Sequence, residues 1–249
     1  MLQDTDGREI RPAASELKFV VPLARAREVL AWSRGQLAPD PHASGEFGDE
    51  YRTTTLYFDT GALDVYTRRG SFRRSKYRLR RYGSDEVAFV ERKLRTNQLL
   101  TKRRTSVQLD DLDRLRASAR DPGWAADWFH RRVGVRRMGP VCQISYVRVA
   151  RVMATADGPA RLTFDRDIVT RPTGDVRFLA ADGLPVLDDA FIVEMKFRNS
   201  APTVFRTLVE QFALEPTDVS KYRRAIDTLR DAGIPVGTEH PVPVDAVDA

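Results

Sequence analysis

The sequence predicts an α+β fold: an antiparallel β-barrel with a charged interior, packed by outer helices. Three observations predict it. Several segments alternate charged and apolar residues with the two-residue period of a strand. Their charged positions are dominated by Lys and Arg; the stretch Tyr66–Tyr82 (YTRRGSFRRSKYRLRRY) holds eight cations and no carboxylate. Amphipathic stripes at helical spacing flank these segments near both ends of the chain.

The chain has 249 residues, 42% of them hydrophobic, enough for a packed core. Its formal charge of +6 calls for an anionic partner without choosing among nucleic acid, phosphate compounds and a membrane surface. Cys142 is the only cysteine, which excludes internal disulfides and cysteine-rich zinc sites and fits a reducing compartment. The N-terminal MLQDTDGREIRP is polar, and no apolar run approaches the length of a membrane span. The expectation is a cytoplasmic protein: a flexible lead over residues 1–13, one domain over 14–233 and a mobile tail over 234–249.

In chain order, Ser15–Val21 alternates as a strand, and Pro22 suits the start of a helix over about 23–37 with Leu23, Ala26, Val29 and Leu30 as its stripe. Pro39, Pro41, Gly45 and Gly48 mark a loop. Tyr51–Asp59 is rich in β-branched and aromatic residues and reads as a strand. The basic strand 75–82, Val87–Leu94, and Lys102 to about Leu109 complete an antiparallel meander. The period then lengthens through Leu112, Leu115, Trp124, Trp128 and Phe129, predicting two short helices broken at Pro122-Gly123. Strands return at Val141–Met153, about Arg161–Asp165 and Ile192–Arg198. Two helices follow, from Pro202 and from about Asp218 to Ala232, with Gly233 a fitting stop.

One strand face then carries Glu16, Lys18, Lys76, Arg78, Arg80, Glu91, Lys93, Lys102, Arg104, Tyr146, Arg148, Arg161, Asp165, Glu194 and Lys196. The other carries Leu17, Phe19, Tyr77, Leu79, Val90, Leu94, Val147, Val149, Leu162, Phe164, Val193, Met195 and Phe197. For a single strand the plain reading is a solvated charged face and a packed apolar one. Across seven strands, cations at most alternate positions repel unless an anion lies among them. Closing the sheet charged face inward leaves the apolar face for the helices and makes a cation-lined channel suited to a short string of phosphates. Glu194 either pairs with a neighbouring Arg or holds a divalent metal, Mn²⁺ or Mg²⁺, with phosphate oxygens; Glu16 is a second candidate ligand. Lys221 sits on a helix, where spacing alone makes it a solvated lysine.

The landmarks E-x-K (Glu16, Lys18), LYFDT (Leu56–Thr60), K-x-R-x-R (Lys76, Arg78, Arg80), E-x-K (Glu91, Lys93), KRR (Lys102–Arg104), SYxR (Ser145–Arg148), RLTFD (Arg161–Asp165), E-x-K (Glu194, Lys196) and SKY (Ser220–Tyr222) occur in this order. Together they resemble the VTC domain, the polyphosphate polymerase domain of the vacuolar transporter chaperone complex, within the CYTH-like triphosphate tunnel enzymes. The resemblance implies an eight-stranded tunnel and metal-assisted transfer of the ATP γ-phosphate to a growing polyphosphate chain. It implies catalytic roles for Arg78, Arg80, Lys93, Arg148 and Arg161. Lys18, Lys76, Lys102, Arg104, Tyr146, Lys196 and Lys221 would bind phosphates, the match to SKY bringing Lys221 to a tunnel mouth. Tunnel enzymes often open with E-x-E-x-K; Ala14 stands at the first Glu position, which favours a polymerase over a hydrolase.

Two other readings remain: a triphosphate or nucleotide hydrolase of the same fold, and a non-catalytic binder of RNA or polyphosphate using Arg68–Arg81 as a surface stripe. The expected partners are ATP and polyphosphate, with room for a membrane-protein partner that takes up product, and no specific nucleic acid. His42, His130 and His240 lack ligand spacing, and no phosphate-binding glycine loop is present.

Overall fold

The computed structural model describes residues 8–12, 15–41, 48–95 and 99–237. The expectations for 1–7, for the loop around Gly45 with His42, and for the tail from 238 onward with His240 lie outside the described residues.

Among the described residues, eleven strands form one antiparallel sheet. They are β1 (Arg8–Pro12), β2 (Ser15–Pro22), β3 (Ala38–Pro39), β4 (Glu50–Thr60), β5 (Ser75–Tyr82), β6 (Val87–Arg95), β7 (Leu99–Gln108), β8 (Met138–Met153), β9 (Ala160–Pro172), β10 (Leu184–Pro185) and β11 (Ala190–Phe197). The helices are α1 (Leu23–Gln36), α2 (Asp127–Val135), α3 (Thr203–Gln211) and α4 (Lys221–Asp231). A short helical segment over Leu109–Arg116 stands where the first of two helices was expected before β8.

Neighbouring strands run in the order β1-β7-β6-β5-β4-β8-β9-β11-β2, with β3 on β8 and β10 on β9. The expected count of eight needs correction. Arg8–Pro12, read as part of a loose lead, is a strand, and it pairs with β7 while β2 pairs with β11. The two ends of the hydrogen-bonded path are therefore consecutive pieces of chain. Only residues 13 and 14 separate β1 from β2, so Pro12 and Ser15, where the two edges meet in sequence, lie within about 11 Å of each other by the reach of an extended chain. No ladder joins β1 to β2 among the described residues, so backbone hydrogen bonds do not close the barrel.

The apolar face packs as the alternation requires. Phe19, Val149, Leu162, Phe164, Val193, Met195 and Phe197 form a core with Ala26, Val29 and Leu30 of α1 and Phe205 and Leu208 of α3. Phe164 is fully buried there; replacing it with Ala costs about 3–5 kcal/mol in lost transfer energy and cavity. Around Tyr77, Leu79, Val90 and Val107 a second core takes Trp128, Phe129 and Val133 of α2. At Gly183 a Cβ would stand 2.3 Å from the Thr170 carbonyl oxygen, so only glycine lets the chain enter β10 this close to β9.

α4 departs from the expectation of outer helices. Its Tyr222 ring stacks on Tyr57 at 5.0 Å between centroids. Tyr57 is paired in register with Arg78 and so belongs to the charged face. The buried stripe Tyr222, Ala225, Ile226 and Leu229 joins a cluster that includes Ile144, Tyr146 and Ile192. α4 thus lies over the charged face and covers part of it. Among the described residues, no helix is long and apolar enough to cross a membrane.

Candidate functional site

The charged side chains come together across the sheet. Glu16 Oε2 on β2 lies 3.1 Å from Lys93 Nζ on β6. These strands stand six places apart in the sheet order, about 29 Å on a flat sheet at the usual strand spacing. The sheet must therefore curl with its charged face inward. Glu16 Oε1 also holds Lys18 Nζ at 2.8 Å.

Two further carboxylates organise the cations. Glu91, with 2% of its side-chain surface exposed, takes Arg78 Nε at 2.6 Å, Lys102 Nζ at 3.4 Å and Arg104 Nε at 3.5 Å. Burial raises its pKa, but Arg78, Arg80, Lys102 and Arg104 together outweigh burial and hold it well below the usual carboxylate range. Asp165, fully buried, takes the Arg148 fork at 2.5 and 2.7 Å and Lys221 Nζ at 2.5 Å. Burial again opposes ionisation, and Arg148 and Lys221 overcome it. Both cations lie 5.2 Å from the Tyr146 ring centroid. Opposite Tyr146, β9 carries an irregularity between the partners of Ser145 and Val147, with Asp167 at φ +50°; such bulges bend a strand and re-aim its side chains.

The remaining cations line the same space. Arg80 Nε donates to Thr55 Oγ1 at 3.2 Å and is 7% exposed. Lys76 Nζ reaches Ser220 Oγ at 3.3 Å, just before α4. Burial lowers Lys76 to about 8, helped by Lys18, Lys93 and Arg78 and opposed by Tyr57. Lys18 Nζ donates to the Val219 carbonyl at 3.4 Å. Arg161 pairs with Asp40 at 2.8 Å and donates to the Tyr51 hydroxyl at 2.9 Å.

Glu194 pairs with Lys196, not with an arginine, and is 6% exposed. Burial raises its pKa, but Lys196, Lys221, Lys18 and Arg148 hold it well below the ordinary value. Glu16 is raised by burial and by Glu194, and lowered further by Lys196, Lys93 and Lys18. The register sets Glu16 against Lys196 and Glu194 against Lys18, which makes the two glutamates diagonal neighbours on one face. Among the described residues no group of three or more His, Cys, Asp or Glu side chains could hold a metal. Two ionised carboxylates whose remaining partners would be phosphate oxygens still match the donor set of Mg²⁺ or Mn²⁺.

All fourteen residues read from the sequence as site candidates therefore lie on or beside this face, Lys221 reaching it from α4. Sequence reasoning set Glu91 and Asp165 on the face without giving them a role, and missed Asp40, Tyr51 and Tyr57. Asp59 was missed as well. Its carboxylate accepts the amides of Thr60, Val65 and Tyr66 and the Tyr222 hydroxyl, the last at 2.5 Å, which ties the turn after β4 to α4. The LYFDT and SKY motifs meet at this bond. His130 lies on α2, 7% exposed and outside this face.

The VTC domain family profile matches residues 13–230. This chain belongs to the VTC domain family. Among solved structures it is similar to a protein of Bacillus halodurans described as an adenylate cyclase candidate, at 14% identity and a TM-score of 0.52, covering 86% of this chain and 95% of that one. A Hippeastrum protein, described as an adenylyl cyclase candidate with a dominant triphosphatase activity, is 15% identical with a TM-score of 0.48, covering 92% and 98%. At 14% identity the Bacillus halodurans likeness speaks for the fold alone. A search of curated proteins finds no match.

Proposed function

We propose that this VTC domain is an ATP-dependent polyphosphate polymerase whose curled sheet works as a cationic tunnel. The observation that carries the reading is the convergence of cations from non-adjacent strands, marked by the Glu16–Lys93 pair. Family membership supports it.

In this reading the terminal oxygen of a polyphosphate chain attacks the ATP γ-phosphorus. The bond to the β,γ-bridging oxygen breaks, ADP leaves, and the chain grows by one phosphate. No enzyme nucleophile is required; alignment and charge stabilisation do the work. Arg78, Arg80 and Arg148 grip the reacting phosphoryl oxygens, with Lys93 and Arg161 beside them. Lys18, Lys76, Lys102, Arg104, Lys196 and Lys221 hold the flanking phosphates, and Tyr146 lies beneath Arg148 and Lys221. The carboxylates Glu91 and Asp165 keep the cations aimed when no phosphate is bound, and phosphate oxygens then share those cations with them. Glu16 and Glu194 would hold the divalent metal, which supplies Lewis-acid neutralisation of phosphate charge.

The test is product analysis. Incubation with ATP and Mn²⁺ should give chains longer than triphosphate; orthophosphate alone would make the chain a hydrolase. Arg78→Ala with Arg80→Ala should weaken phosphate binding. Glu194→Gln should abolish metal-dependent turnover and leave the fold intact. Activity that survives both changes would refute the site assignment.

A further inference from the structure

The charged face of the sheet is graded along its strands. Lys76, Arg78, Arg80 and Tyr82 follow one another on β5, and the partners of the first three on β6 are Lys93, Glu91 and Phe89. One end of this face therefore carries paired lysines and the other carries aromatic rings. On β4, Thr53 is the partner of Tyr82, and Tyr51, next on the same face, is the partner of Arg148. The rings form a row: Tyr82 meets Tyr51 and Phe89 edge-on, each at 5.8 Å between centroids. The Arg104 guanidinium lies 3.6 Å from the Phe89 centroid and 5.5 Å from that of Tyr82. Arg161 donates to the Tyr51 hydroxyl. All three rings are half-buried, and none of them is part of either apolar core described above. The turn at residues 83–86 and Ser106, the partner of Phe89, are exposed, so the row lies at a rim of the sheet. Tyr57 and Tyr146 share the charged face but are buried, Tyr57 against the Tyr222 ring and Tyr146 beside Arg148 and Lys221.

The geometry points to a nucleobase platform at this rim: the base of the bound nucleotide stacks on Tyr82, and its phosphates run along Arg80 and Arg78 towards Lys76 and Lys93. Three features carry it. Bases stack on ring faces and on guanidinium planes, and here a row of rings and one guanidinium stand together. The edge-on neighbours Tyr51 and Phe89 fix the plane of Tyr82 before a ligand arrives. The platform is also in line with the phosphate grips: Arg80 is the next residue of this face on β5, and Arg78 lies about 13 Å from Tyr82 along the strand, a span that a ribose and three linked phosphates bridge. The platform gives the tunnel a direction. A nucleotide held this way presents its γ-phosphate to the lysine end, and the growing chain leaves past Lys76 and Lys93. It also selects a nucleoside triphosphate over inorganic triphosphate, which has nothing to stack. This assignment rests on the polymerase reading for ATP as the nucleotide, but the binding itself does not require turnover.

The test uses the full chain and two probes: the β,γ-imido analogue of ATP, which resists phosphoryl transfer, and tripolyphosphate. In the parent protein the adenine ring protons of the bound analogue should move upfield in NMR spectra, the mark of a stacked base; no such shift overturns the platform without recourse to a variant. In binding titrations Tyr82→Leu should weaken the analogue about tenfold and leave tripolyphosphate within about twofold of the parent. Tyr82→Phe keeps the ring face and should bind both probes as the parent does. Unchanged analogue affinity in Tyr82→Leu overturns the platform, as does an equal loss for both probes. Tyr82→Phe as weak as Tyr82→Leu also overturns it, assigning the effect to the hydroxyl. A split between the probes in a protein that makes no polymer from ATP keeps the platform and removes the polymerase reading; polymer synthesis without the split does the reverse.

Discussion

Glu91→Gln separates an enclosed cationic site from a solvated charged face. The side chain is 2% exposed and bonded to Arg78 at 2.6 Å, with Lys102 and Arg104 at 3.4 and 3.5 Å. Gln keeps the shape and removes the charge. Breaking a buried ion pair by removing one partner costs about 3–5 kcal/mol, because the other charge stays buried and uncompensated. Most of that loss belongs to Arg78, since Lys102 and Arg104 are about one-third exposed and water screens them. A bound polyanion replaces the missing charge. Tripolyphosphate at a hundred times its Kd returns about 2.7 kcal/mol, and a tenfold tighter Kd in the variant adds about 1.4 kcal/mol at the same concentration. The parent gains the same amount, about 2.7 kcal/mol, so urea unfolding should show the variant's deficit of about 3–5 kcal/mol shrink by about 1.4 kcal/mol when tripolyphosphate is present. Calorimetry should show tighter binding to the variant. A variant as stable as the parent, or a deficit that tripolyphosphate leaves untouched, would refute the reasoning.

The same carboxylates set the acid limit. The pKa values of Glu91, Asp165 and Glu194 lie below their unfolded values, so their stabilisation is present above about pH 4.5 and is lost as pH falls through the lowered folded values; urea midpoints should drop steeply there, and less so for Glu91→Gln. Lys76 titrates near 8 in the free protein. Its charge costs stability below that value, and the cost is relieved as pH rises towards its unfolded pKa. A bound phosphate pulls its pKa back up, so tripolyphosphate binding at about pH 8–10 should take up protons, seen as a buffer-dependent binding enthalpy that is reduced in Lys76→Met, the rest coming from Lys93 and Lys102, which burial also lowers. Tyr222→Phe removes the hydroxyl that donates to Asp59. It should cost about 1–3 kcal/mol on thermal unfolding, and it should lower turnover because Lys221, the adjacent residue, loses the anchor that holds α4.

Much of the sheet was legible because its two faces differ so sharply in chemistry. Lys76, Arg78 and Arg80 against Tyr77 and Leu79 allow only one pleat, and the register agrees. The segment REIRP was not legible as a strand: it is short, ends in Pro12, and gains its partner from β7, some ninety residues away in sequence. Periodicity cannot report curling, so the Glu16–Lys93 contact across the site was beyond its reach. A helical stripe looks the same whether it covers the outside of a sheet or its inner face; hence α4 was set on the wrong side, although the match to SKY brought Lys221 to the site. Carboxylates among cations read as simple pairing, and only coordinates distinguish Glu91 and Asp165, which organise several cations each, from Glu194, paired with its strand neighbour Lys196. Asp40 was invisible for a different reason: it follows a two-residue strand, and its partner Arg161 lies far along the chain.

The central claim is that these cations enclose a single volume that takes a linear string of phosphates. A crystal structure of the protein with tripolyphosphate and Mn²⁺ tests it most directly. The account predicts one extended ligand threaded inside the curled sheet, its oxygens on Arg78, Arg80, Arg148 and Lys93, with the metal between phosphate and Glu194. Tripolyphosphate seen only on the outer surface, with the inner arginines still bound to Glu91 and Asp165 alone, would contradict it.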